Sequence, residues 1–156
     1  MLEIKNVHKT FNKGTINEKK ALNGVDLKLQ PGDFVTVIGG NGAGKSTMLN
    51  MIAGVYPIDQ GTILLDGKDI SDLPEYKRAY MLGRVFQDPM MGTAAGMEIQ
   101  ENMAMAYRRG KRRGLSWGIT KKEKKMFKEK LATLDLGLEE RMTSKVGLLS
   151  GGQRQA

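Results

Sequence analysis

Residues 34–46 read FVTVIGGNGAGKS, and the fold turns on how they are parsed. The β-branched, apolar run Phe34–Gly40 ends in glycines and predicts a buried strand. Lys45 to Ala53 predicts a short helix, with Gly54 placed to close it in the left-handed conformation. Between them Gly39-Gly40-Asn41-Gly42-Ala43-Gly44-Lys45-Ser46 matches G-x-x-x-x-G-K-[ST]. Strand, glycine-rich turn and helix in that order make an anion-binding nest. The glycines let successive N–H groups turn inward, and the helix start adds its positive dipole end. Lys45 can reach the β- and γ-phosphates of a nucleotide, and the Ser46 hydroxyl can ligate Mg2+.

Working outward, the first third reads as β structure. In LEIKNV, Leu2 and Ile4 follow the two-residue period of a half-buried strand, and VDLKL alternates Val25, Leu27 and Leu29. Asn12 to Lys20 is polar and reads as a loop, and Gln30-Pro31-Gly32-Asp33 predicts a type II turn. GTILLDGKDI predicts two short strands around an Asp66-Gly67 hairpin. Hydrolysis of a bound nucleotide needs a carboxylate to support Mg2+. Asp66 ends a hydrophobic strand as such a residue would, but Gly67-Lys68 and the return strand make it a turn residue. Ser71 to Met81 predicts a short helix and GRVFQD a further strand or strand end.

From Met97 helical patterns take over. Thr120-x-x-Glu123 is a capping box, followed by Met126, Phe127, Leu131 and Leu134 on one apolar stripe, with Gly137 expected to end the helix. Five methionines, Met90, Met91, Met97, Met103 and Met105, fit either core packing or an adaptable partner surface.

Bulk properties bound the function. The 156 residues suffice for one sizeable core, and 40% hydrophobic with 27% charged residues is ordinary for a globular chain. There is no cysteine, and the single histidine, His8, cannot form a histidine metal cluster. The net charge of +8 comes from one segment: residues 107–130 hold eleven Lys/Arg and two acids, while the remainder has fourteen against fifteen. That segment, which includes Arg108, Arg109, Arg112 and Arg113, reads as a solvated helical face with a basic loop. A lipid-headgroup contact and a nucleic-acid patch are the other readings, the last weakened by few interleaved aromatics.

Gly39–Thr47, VFQDP at 85–89 and LSGGQ at 149–153 occur in this order. Together they resemble the ATP-binding cassette (ABC) ATPases, over essentially the whole chain. The resemblance implies an α/β fold: an ABC-type P-loop NTPase core with N-terminal antiparallel β strands and a helical subdomain, the C-terminal part of the core missing. It places a nucleotide-binding core at 1–89, the helical subdomain at 90–148, and the signature motif with the start of a helix at 149–156.

By the same resemblance, Gly39, Asn41, Gly42, Gly44, Lys45, Ser46 and Thr47 bind ATP. Phe11 stands where the family stacks an aromatic on adenine, though a core residue at a strand end would look the same. Lys45 and Gln87 are the catalytic positions, and Ser46 and Gln87 the Mg2+ contacts. Ser150, Gly151, Gly152 and Gln153 grip ATP held by a second subunit. Ser150-x-x-Gln153 is itself a capping box, and two glycines leave helix-start N–H groups open to phosphate.

The implied partners are a second ATPase subunit in a head-to-tail dimer, transmembrane permease subunits and a substrate-binding protein. The implied place is the cytoplasmic face of the plasma membrane, as a peripheral subunit. The 62-residue separation of Gln87 and Leu149 favours a transporter over relatives that carry a long coiled coil there. Residues 93–119 look like subunits of bacterial importers for aromatic amino acids. No nucleic-acid partner is expected. The alternative is a soluble cassette protein acting on ribosomes or nucleic acid. The family's magnesium aspartate, catalytic glutamate, dimer-contact loop and switch histidine follow the signature and have no counterpart here. Residues 1–156 alone are therefore expected to be inactive and weakly stable, with ATPase activity a property of the full-length form.

Overall fold

The computed structural model describes residues 1–110 and 118–155. They form two compact units, Met1–Gly83 and Arg84–Ala156. Arg112 and Arg113 of the basic segment lie outside the described residues.

The first unit is built on an antiparallel sheet of order β2-β1-β3-β4, with β1 Leu2–Phe11, β2 Lys19–Leu29, β3 Gln60–Leu65 and β4 Lys68–Asp69. Apolar residues at alternate positions of β1 and β3 face helix α1, Lys45–Ala53. Ile4, Val7, Leu22 and Ile63 pack there with Met48 and Met51. The two-residue period of β1 breaks between Ile4 and Val7, where Asn6 takes a left-handed φ of 47° and the register to both neighbours shifts. This bulge is invisible to simple alternation. Asp66 and Gly67, at φ 49° and 78°, make the expected hairpin turn between β3 and β4. Asp33 N–H closes the predicted turn on Gln30 O at 3.1 Å.

Two predicted strands are absent. Residues 34–40 and 84–86 belong to no sheet. Phe34 is 94% exposed and Ile38 89%, with Val35, Val37 and Val85 also open. A strand that is apolar on both faces is stable only between two partner strands and two covering layers, and the described residues supply neither. The helix expected over 71–81 shortens to α2, Glu75–Arg78.

Arg78 is buried and donates to four carbonyls: Leu73 (2.7 Å), Ser71 (2.7 Å), Met51 (2.6 Å) and Ile52 (3.0 Å). The last two end α1, so a cation sits on the negative end of the helix that begins at the glycine turn. Burial pulls its pKa below the ordinary arginine value, against the opposing pull of Asp72 and Asp69.

The second unit holds α3, Ile99–Tyr107, α4, Lys121–Ala132, and α5, Gly151–Gln155. The predicted Thr120/Glu123 box is formed, and Arg108 from the end of α3 pairs with Glu123 at 2.8 Å. One carboxylate thus caps α4 and ties it to α3. Phe127 and Leu131 are buried, whereas Leu134 is exposed. The helix ends five residues before Gly137. Leu134 and Asp135 turn back with three-residue bonds to Leu131 and Ala132, and Asp135 goes left-handed at φ 54°. Gly137 opens a 3-10 turn instead. Of the five methionines, Met103 packs against the core, while Met90, Met91 and Met105 are exposed.

Candidate functional site

The glycine turn is shaped by its own chain. Gly44 precedes α1 at φ 88°, and a Cβ there would lie 2.5 Å from Ala21 O and 2.9 Å from Leu22 Cδ2. Only glycine lets the turn come this close to β2. Lys45 folds back over the turn, its Nζ donating to Gly39 O at 2.6 Å and Gly40 O at 2.7 Å. Ala43 N–H closes on Gly40 O at 3.3 Å, and Met48 N–H on Gly44 O at 2.8 Å. The N–H groups of Lys45, Ser46 and Thr47 stand in the first turn of α1, where a helix has no internal acceptors. A lysine ammonium and a helix start therefore meet at one glycine turn, which is the chemistry a phosphate needs. Asn41, Gly42 and Ser46 are exposed on it, and Thr47 is half-buried.

Phe11 ends β1 half-buried. Its ring meets Tyr56 edge-on at 5.3 Å, with the Lys9 ammonium 5.6 Å from its centroid. Lys9 is buried and pairs with Asp59 at 2.9 Å, and Asp59 also accepts Thr10 N–H at 2.6 Å. The Lys9 bond, then the Thr10 amide, hold the Asp59 carboxyl below its usual pKa. Phe11 is thus fixed at the end of a clamped strand, on the same unit as the turn.

The other predicted residues lie in the second unit. Gln87 is exposed at a bend before the 3-10 turn Pro89–Gly92, which Asp88 opens by accepting Met90 N–H at 2.9 Å. Ser150 and Gln153 form the reciprocal box, Gln153 N–H to Ser150 Oγ at 3.3 Å and Ser150 N–H to Gln153 Oε1 at 3.2 Å. Gly151 and Gly152 are exposed, and a Cβ on either would meet nothing within 4 Å. Leu149, buried, anchors the turn, and residues 142–147 are held along 95–100 by backbone bonds such as Gly147 N–H to Ala95 O at 2.8 Å.

Sequence reasoning missed Arg154. Its guanidinium donates to Val146 O at 3.0 Å and Gly147 O at 2.6 Å, and it touches Met90 Sδ. It fixes the angle at which α5 leaves the core. The only signal was a cation in the last turn of that helix, which reads as an ordinary surface residue. Among the described residues no cluster of three His, Cys, Asp or Glu could hold a metal. An ion here would take few protein ligands, a hydroxyl among them, and complete its shell with substrate phosphate and water, an ordinary arrangement for Mg2+. The exposed Ser46 hydroxyl at the start of α1 fits that role. Among the described residues no helix is long and apolar enough to cross a membrane.

Residues 22–156 match the family model described as "ABC transporter". The tyrosine transport ATP-binding protein of Clostridioides difficile is 38% identical over 156 residues, all of this chain and 62% of that protein. The bacitracin export ATP-binding protein BceA of Halalkalibacterium halodurans is 30% identical, over 99% of this chain and 58% of that one. An ATP-binding cassette solved as a dimer in a post-hydrolysis state with ADP and Pi superposes with a TM-score of 0.75. It is 31% identical, and the match covers 99% of this chain and 65% of that one. The chain thus spans less than two thirds of the length of these relatives.

Proposed function

The chain belongs to the ABC transporter family, and from that premise we propose that it is the ATP-binding part of a transporter subunit. The observation that carries the reading is the Lys45 ammonium held over the Gly39–Gly44 turn at the start of α1. Gly39, Asn41, Gly42 and Gly44 form the phosphate cradle. Lys45 exchanges its two carbonyl partners for phosphate oxygens, and the Thr47 amide adds a donor. Phe11 stacks on the adenine. Ser46 Oγ would hold Mg2+, which would neutralise phosphate charge when bound, and the family resemblance gives Gln87 a Mg2+ contact in the full-length protein. Gln87 also orients the attacking water in the full-length protein, whose activity is MgATP hydrolysis.

Ser150, Gly151, Gly152 and Gln153 serve ATP bound to a second subunit. Glycine in an α-helix costs about 1 kcal/mol relative to alanine, and nothing in this chain crowds residues 151 and 152. Their bare backbone is explained by an approaching phosphate, in a head-to-tail pair of subunits. The pair drives transmembrane permease subunits at the cytoplasmic face of the membrane, with a substrate-binding protein in the complex. We assign import, of an aromatic amino acid. The tyrosine transport relative supports that cargo, whereas the bacitracin export relative shows that the family alone does not choose the direction.

The test is calorimetric titration of the chain with MgATP. Wild type binds, and Lys45→Ala weakens binding about a hundred-fold, the worth of a charge-assisted contact pair. Equal affinity in the two proteins sinks the reading.

A further inference from the structure

We propose that Lys19 is a second cation of the phosphate cradle, contacting a phosphate that ADP and ATP share. The inference rests on the nucleotide-binding reading of the same turn. Lys19 opens β2 and is the cross-strand partner of Phe11. Its Nζ stands 3.4 Å from where a Cβ on Gly42 would be, directly against the glycine turn. Lys45 occupies the Gly39 and Gly40 carbonyls of that turn, so two ammonium groups bear on four residues of backbone.

Among the described residues no carboxylate pairs with the second one. Phe34 to Ile58 contains no acidic residue. Glu18, next in sequence, accepts Gly14 N–H at 2.8 Å, and Asp59 is committed to Lys9 and Thr10. Two like charges on one short turn repel, and an anion bound there relieves the repulsion. A polyphosphate supplies that anion. The pairing of Lys19 with Phe11 sets which phosphate it meets. A residue beside the base-stacking ring lies at the base end of the cradle, so its partner is the α- or β-phosphate rather than the γ.

The experiment titrates ATP and ADP into the 156-residue wild type, Lys19→Gln, Lys19→Arg and Lys45→Ala. Lys19→Gln is expected to weaken ATP and ADP alike by about five-fold, the upper end for an exposed charge pair. Lys19→Arg keeps most of the affinity, and the deficit of Lys19→Gln narrows as salt is raised. Lys19→Gln binding like wild type while Lys45→Ala does not overturns the inference and leaves the nucleotide-binding reading standing. A loss confined to ATP also overturns it, because the cation then meets the γ-phosphate. A wild-type chain that binds neither nucleotide overturns both.

Discussion

The glycine turn at 39–44 and the Ser150–Gln153 turn are both helix starts rich in glycine, and they are built on opposite terms. At the first, the chain's own backbone demands the glycine: residue 44 is left-handed, with Ala21 O only 2.5 Å from any Cβ. A lysine already sits on the turn, and a buried arginine closes the far end of its helix. At the second, the glycines are crowded by nothing, and a plain serine–glutamine box with Arg154 behind it sets the angle. A glycine its own fold requires is part of a prepared receptor. A glycine its own fold does not require leaves room for something from outside.

Alanine substitution breaks or sharpens that contrast most directly. Gly44→Ala combines a left-handed alanine with a backbone clash and is expected to cost about 3 kcal/mol or more. Gly151→Ala and Gly152→Ala are expected to leave stability unchanged or raise it by up to about 1 kcal/mol. Denaturant unfolding of the three variants decides. A Gly152→Ala protein as unstable as Gly44→Ala ends the distinction.

Arg78→Met tests the far end of the prepared helix. It removes the guanidinium from the carbonyls of Ile52, Leu73 and Ser71 and leaves Met51 O only the Gly54 N–H, for an expected loss of about 3 kcal/mol. Thermal melting reads the loss, and faster amide exchange in the last turn of α1 locates it. Unchanged exchange there means that Arg78 does not support the helix. Arg154→Gln is a smaller perturbation of the second turn, about 1 kcal/mol, read as faster exchange at Gly151 to Gln155 with the first unit unaffected.

The smallest effect is a pH dependence confined to the second unit. The Arg108 guanidinium, then the Thr120 amide, hold Glu123 at a pKa of about 2, below the ordinary 4.5. A depressed carboxylate stabilises fully above its unfolded value and loses that contribution as pH falls through its folded one. Anchoring of α4 to α3 therefore weakens between about pH 4.5 and 2, which far-UV circular dichroism follows. Glu123→Gln keeps the cap's reach and flattens the acid slope. An equal slope in both proteins rules out this ion pair as its source.

Much of this was legible in the residues because it is local. The 45–53 helix with Gly54, the Asp66-Gly67 hairpin and the Thr120/Glu123 box each depend on neighbours a few positions apart, and each forms as read. The strand expected at 34–40 does not form, because apolarity on both faces is a promise about partners, and partners are not local. Leu134 and Gly137 failed for a smaller reason. The apolar stripe runs on past the point where Thr133 and Asp135 unwind the helix. Arg78, Lys19 and Arg154 carried no distinguishing signal, since a cation in a polar stretch reads as surface.

The order of motifs, Gly39–Thr47 then Gln87 then Leu149–Gln153, is enough by itself to place this chain in its family. Each motif is a short backbone shape that its own residue types impose. Which cation lies against which stretch of backbone was decided only by the tertiary structure. Lys19 meets Gly42 across a strand and a loop, Arg78 meets Met51 from 27 residues away, and Arg154 meets Val146 across the signature turn. Long flexible side chains choose among many acceptors, and only the folded backbone puts one set within 3 Å.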